Sequence, residues 1–145
     1  MHSPILAPVV ALVAWSLVMQ VWMYATRLPA MRRAGISLKG RVGGRGAQLD
    51  GVVEDQVQWK AHNYNHLMEQ PTLFYAIAIS LALLGGGINL WLAWGYVAFR
   101  VLHSLIQATT NVVKWRFLAF TAGSLCLLGL TVHAAAFLLH DQLPH

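Results

Sequence analysis

Charge is the scarcest thing in this chain. Only 10% of its residues are Asp, Glu, Lys or Arg, where a soluble domain carries about a quarter, and long apolar runs take their place. That combination excludes an ordinary soluble domain and points to a membrane protein. Acidic residues are rarer still, five in all, too few and too scattered for a catalytic carboxylate pair. Cysteine occurs once, as Cys126 inside an apolar run, which excludes an internal disulfide and reads as inert packing. Also missing are a Ser-His-Asp or Cys-His arrangement, a glycine-rich phosphate loop and any internal repeat. With 12 glycines among 145 residues the chain is not fibrous or low-complexity, and its length allows one domain, 1–145.

What is present is hydrophobic length. Four stretches, about 4–28, 57–85, 88–112 and 117–139, are each expected to form a transmembrane helix, since about 20 apolar residues cross the hydrocarbon core. The first has no basic start and no small-residue cleavage site, so a membrane span is expected there rather than a cleaved leader. The second is polar from Gln56 to Gln70 and apolar only from Thr72 to Leu84. One helix kinked at Pro71 is expected, its polar half shielded from lipid by neighbouring helices. Gly85-Gly86-Gly87 predicts a tight hairpin to the third helix, and a short link carrying Lys114 and Arg116 leads to the fourth. The fold class is an all-α, four-helix transmembrane bundle.

The ten basic residues are distributed by topology. Arg32, Arg33, Lys39, Arg41 and Arg45 lie in a glycine-rich connection over about 29–55, Arg27 and Lys60 flank it, and Lys114 and Arg116 mark the third connection. The triglycine turn and both termini carry none. By the positive-inside rule the two basic connections face the cytoplasm and both termini face away from it. The basic residues flank apolar spans instead of forming a face with interleaved aromatics, so no nucleic-acid partner is expected.

Arg100 breaks that pattern, because it falls in the middle of helix three. A charge in a span needs pairing or hydration. His103 and Gln107 follow Arg100 at i+3 and i+7, and Asn111 continues the stripe; on helix two, His62, Asn65 and Glu69 share the same spacing, with His66 beside them. Counted back from the hairpin, Glu69 and Arg100 reach similar depths, which predicts a buried ion pair helped by His103 and Asn65. The plainer reading of Asn65, Asn111 and His103 is that they hydrogen-bond helices together. His62 and His66 stand at i, i+4 without a third ligand, so no metal site is expected. Arginines, amides and histidine suit an anionic ligand or a stabilised thiolate.

The run Asn65-His-Leu-Met-Glu69-Gln-Pro71-Thr-Leu-Phe-Tyr75 on helix two resembles the signature of the MAPEG family, the membrane-associated proteins of eicosanoid and glutathione metabolism. Arg100-Val-Leu-His103 and, sixteen residues after Arg100, Arg116-Phe-Leu-Ala-Phe look like that family's helix-three and helix-four patterns. The wording is closest to the bacterial branch, which implies an inner-membrane location. The resemblance implies a homotrimer that binds glutathione between subunits near the cytoplasmic side and takes lipophilic small-molecule substrates from the bilayer. It also implies a glutathione S-transferase-like or peroxidase activity. It assigns Asn65, Glu69, Arg100, His103 and Gln107 to the cofactor site, with Arg116 the catalytic cation beside the thiolate. Gln107 stands where eukaryotic members carry a tyrosine, and Asn65 is flanked by Tyr64 and His66 where a basic residue is common. A non-catalytic subunit that keeps the scaffold for lipid binding or complex assembly is the rival reading. A small transporter is a third, with no inverted repeat to support it.

Overall fold

A computed structural model describes residues 3–37, 39–40, 42–85 and 89–141. Five α-helices run in the order α1 (Leu6–Arg33), α2 (Asp55–Leu67), α3 (Pro71–Leu84), α4 (Leu90–Thr109) and α5 (Val113–Asp141), with a short 3-10 turn at Gly46–Leu49. Among the described residues, three stretches are long and apolar enough to cross a membrane: Leu6–Arg33, Asp55–Leu84 and Val113–His140. The stretch expected over about 88–112 forms α4 and is the least apolar of the four. α4 has the length, 20 residues, but Arg100, His103 and Gln107 on its inner face lower its apolar character. All three are buried.

α4 and α5 form the most extensive contact, followed by α1 with α2 and α2 with α4. Small residues let α4 and α5 approach: a Cβ added at Gly129 would sit 2.8 Å from Leu92, and one at Gly95 would sit 3.1 Å from the Cys126 thiol. The core lies between the helices, centred on Leu12, Met19, Phe74, Leu81, Tyr96 and Leu130, with Phe74 and Tyr96 stacked at 4.5 Å. A second, smaller cluster of Ala30, Met31, Leu49, Val53 and Val57 pins the connection back onto the ends of α1 and α2.

The connections differ from the sequence reading in three places. α1 continues through Pro29 to Arg33, so the loop opens at Ala34 and Arg32 and Arg33 close the helix, where cations favour the dipole. The second rod is broken instead of merely kinked: α2 stops at Leu67 and α3 begins with Pro71 at its first position, where its missing N–H costs nothing. Lys114 and Arg116 are not in a link, because α5 begins at Val113. The link is 110–112, and Asn111 reverses the chain with φ 53°, a left-handed conformation that asparagine tolerates. It thus ends the α4 stripe instead of extending it. Gly85 closes α3 in the same left-handed region, φ 66°. The remainder of the triglycine turn and the start of helix three at residue 88 lie outside the described residues, as does Arg41.

Polar side chains tie the rods together inside the bundle. The Ser104 hydroxyl, fully buried on α4, accepts hydrogen bonds from Trp15 Nε1 of α1 at 3.0 Å and Asn63 Nδ2 of α2 at 2.7 Å. Gln70 lies in the break between α2 and α3. It donates to Ser124 of α5 at 2.8 Å and accepts from Tyr96 of α4 at 3.4 Å. Ser104→Ala is expected to destabilise the protein by about 1–3 kcal/mol, because two donors lose a buried acceptor. Thermal unfolding in neutral detergent measures it, and an unchanged midpoint would contradict the three-helix node.

Candidate functional site

The break before Pro71 creates the centre of the site. The last turn of a helix leaves carbonyls without intrahelical donors, and the buried Arg100 reaches one of them. Its Nη2 donates to the His66 carbonyl at 2.9 Å and lies 3.0 Å from His66 Nδ1. Arg100 is fully buried, yet its Nε and Nη1 have no hydrogen-bond partner among the described residues. The expected Glu69–Arg100 ion pair is absent. Glu69 is turned outward, its side chain 68% exposed, and its carboxylate lies 3.9 Å from His66 Nε2 instead. His66 thus stands between the two charges. The helix break rotates Glu69 off the face it would hold in a continuous helix. Glu69→Ala is expected to change stability by no more than about 1 kcal/mol, measured by the unfolding midpoint in detergent.

His103 is buried and stacks on His66 with ring centroids 4.9 Å apart. Both rings lean on Phe120 of α5, and the Arg100 guanidinium lies 5.7 Å from the Phe120 ring. His66, His103 and Phe120, with Val113, Arg116 and Phe117, line an open recess of ≈ 230 Å³ between α2, α4 and the start of α5. Arg116 is fixed by donation from Nη1 to Asn111 Oδ1 at 2.7 Å, and its Nε is buried without a partner among the described residues. The first turn of α5 holds no acidic residue, so the positive end of the helix dipole and the Arg116 guanidinium add. No carboxylate lines the recess. Such an arrangement favours an anion.

Of the residues singled out from the sequence, the structure brings His103 and Arg116 to the recess and sets Arg100 one layer behind it, on the far side of His66. Gln107 is buried on α4 with its Oε1 unpartnered among the described residues, and it does not line the recess. Asn65 and Glu69 lie on the exposed side of the second rod. Two residues that line the recess, His66 and Phe120, were not among the site residues expected from the sequence. The i, i+3 spacing of His66 to Glu69 was a usable signal, but the stripe assumed an unbroken helix. Among the described residues no group of three or more His, Cys, Asp or Glu side chains is placed to hold a metal.

Compared with known families, residues 5–136 match the profile of the MAPEG family. The chain belongs to the MAPEG family. The match takes in all five helices up to the last turn of α5, so the broken second rod and the basic start of α5 are parts of a MAPEG fold and not of an appended domain. An integral membrane protein of the MAPEG family accounts for the apolar helices. No curated protein and no solved structure matches the chain significantly.

Proposed function

We propose that this MAPEG member is a glutathione-dependent transferase or peroxidase acting on lipophilic electrophiles drawn from the bilayer. The observation that carries the reading is the cationic mouth of the recess: the Arg116 guanidinium at the first turn of α5, its Nε buried without a partner among the described residues and no carboxylate in the lining. An anionic peptide with a thiol fits that mouth, because it brings a carboxylate for the guanidinium and a sulfur that a nearby cation favours as thiolate. Bound glutathione supplies the nucleophile, so the protein needs none of its own and Cys126 stays outside the chemistry. Arg116, at the mouth of the recess, holds negative charge at the start of α5. Arg100 positions the His66 carbonyl and ring, and through them the stacked His103. Phe117 and Phe120 exclude water from the reacting side and present an apolar wall to the acceptor.

The reading includes a homotrimer, because Asn65 and Glu69 are exposed polar groups that a neighbouring copy packed on that face would cover while closing the recess. The basic connections face the cytoplasm in this proposal, with both termini on the opposite side of a bacterial inner membrane.

The test is the ultraviolet thiolate absorbance that develops when glutathione is added to the folded protein in detergent. Its appearance supports the enzyme. Absence of binding at millimolar glutathione in a folded oligomer would leave the alternative, a non-catalytic subunit that keeps the MAPEG scaffold for lipid binding or assembly.

A further inference from the structure

Away from the recess beside His103, the end of α1 and the glycine-rich connection enclose a second hollow of ≈ 270 Å³. Two arginines line it. Arg27 Nη2 donates to the Gly46 carbonyl at 2.6 Å, and its Nε is buried without a partner among the described residues. A Cβ at residue 46 would lie 2.9 Å from that guanidinium, so glycine there lets the loop close over it. Arg45 also faces the hollow and has no acidic partner among the described residues. The remaining walls are partly apolar, from Leu28, Met31 and Leu49.

A trough of ≈ 390 Å³ adjoins this hollow along the outer side of α1, lined by Val21, Tyr24, Ala25, Leu28, Pro29 and Arg32. Tyr24 and Leu28 belong to both. No carboxylate lines either one. The nearby acid, Asp50, accepts a hydrogen bond from Gln58 and lies 3.1 Å from His62. Its carboxyl sits below the ordinary range, chiefly through the Gln58 hydrogen bond, with smaller contributions from His62 and Arg27, so it is an anion that offsets part of the Arg27 charge and leaves Arg45 in excess. A cationic chamber thus lies beside an apolar trough near the end of α1, which matches the two ends of a charged amphiphile. Guanidinium suits phosphate because its N–H groups pair with two oxygens at once.

We propose that the paired hollows bind one anionic phospholipid, its phosphate held by Arg27 and Arg45 and an acyl chain lying along Val21, Ala25 and Leu28. The charge complementarity and the wall of Tyr24 and Leu28 that the two cavities share carry this assignment, which rests on nothing in the glutathione reading. Each basic side chain near the surface strengthens binding to anionic lipid about fivefold.

The full-length protein, purified in neutral detergent and stripped of lipid, is titrated with short-chain phosphatidylglycerol, phosphatidylcholine of the same chain length, and glycerol phosphate, with binding read by native mass spectrometry. Phosphatidylglycerol is expected to occupy one preferred site per chain, and phosphatidylcholine to bind at least about fivefold more weakly. Arg45→Glu, an exposed substitution, is expected to weaken phosphatidylglycerol about tenfold or more, while Lys114→Glu, the same charge change elsewhere, leaves it unaltered. Ala25→Trp fills the trough and is expected to weaken the lipid without touching glycerol phosphate. Equal binding of the two lipids, or equal losses in the two charge reversals, overturns the site. Glycerol phosphate bound as tightly as the lipid makes it a free-phosphate site and sinks the lipid assignment. Disulfide cross-linking between two Ala25→Cys copies does so as well, since a second chain then fills the trough.

Discussion

Arg116→Ala is expected to abolish the thiolate signal on addition of glutathione while leaving the helical fold intact. The fold should survive because Arg116 is a cation in the first turn of α5 with no acid beside it. A positive side chain there opposes the helix dipole, so its removal is neutral or mildly stabilising for the helix itself. The chemistry should not survive. A free thiol titrates near pH 8.5, and each unit by which a neighbouring cation lowers that value raises the thiolate fraction about tenfold at neutral pH. Loss of the cation should therefore cut the thiolate fraction by about tenfold or more. Asn111→Ala separates charge from placement, since it leaves the guanidinium present but removes its 2.7 Å anchor. It should give an intermediate signal, and Arg116→Lys should restore part of it. A full thiolate signal in Arg116→Ala would remove Arg116 from the mechanism.

Arg100→Met should raise the unfolding midpoint while destroying ligand binding. Arg100 is fully buried, and among the described residues it bonds only to His66 and leaves two nitrogens unpaired. A buried charge so poorly compensated is a net cost, and replacing buried ionic groups by apolar ones of similar volume is often neutral or stabilising by about 1–4 kcal/mol. For a chain of this size that corresponds to a rise of about 3 °C or more. Proteins accept such a cost where a site requires it. The two readings of Arg100 therefore predict opposite signs. If it only glues helices together, Arg100→Met lowers the midpoint; if it serves a ligand, stability rises and binding is lost. Calorimetry in detergent, with and without glutathione, reads both.

Much of this was legible in the sequence because hydrophobic length and basic flanks are one-dimensional signals. The apolar runs located the helices, and the spacing from Arg100 to His103 and Gln107 placed three side chains on the buried face of α4, where they lie. Depth along a helix could be counted, but direction around it could not once the helix broke. Pro71 was visible; that it starts a new helix and turns Glu69 outward depends on how α2 and α3 each pack against other rods. The same limitation hid His66, which meets Arg100 only because the break frees its carbonyl, and Phe120, whose position depends on α5 beginning at Val113 instead of Phe117. The left-handed Asn111 was concealed for a related reason. A stripe of polar residues reads the same whether its last member stays helical or ends the helix.

The interrupted second rod also bears on how the chain crosses the bilayer. α3 offers 14 residues, about 21 Å at 1.5 Å per residue, well short of the ~30 Å hydrocarbon thickness. It reaches spanning length only together with α2, in one interrupted stretch from Asp55 to Leu84. α2 packs on α1 and α4, so half of this crossing is a helix whose polar groups are hidden by its neighbours and not by its own composition.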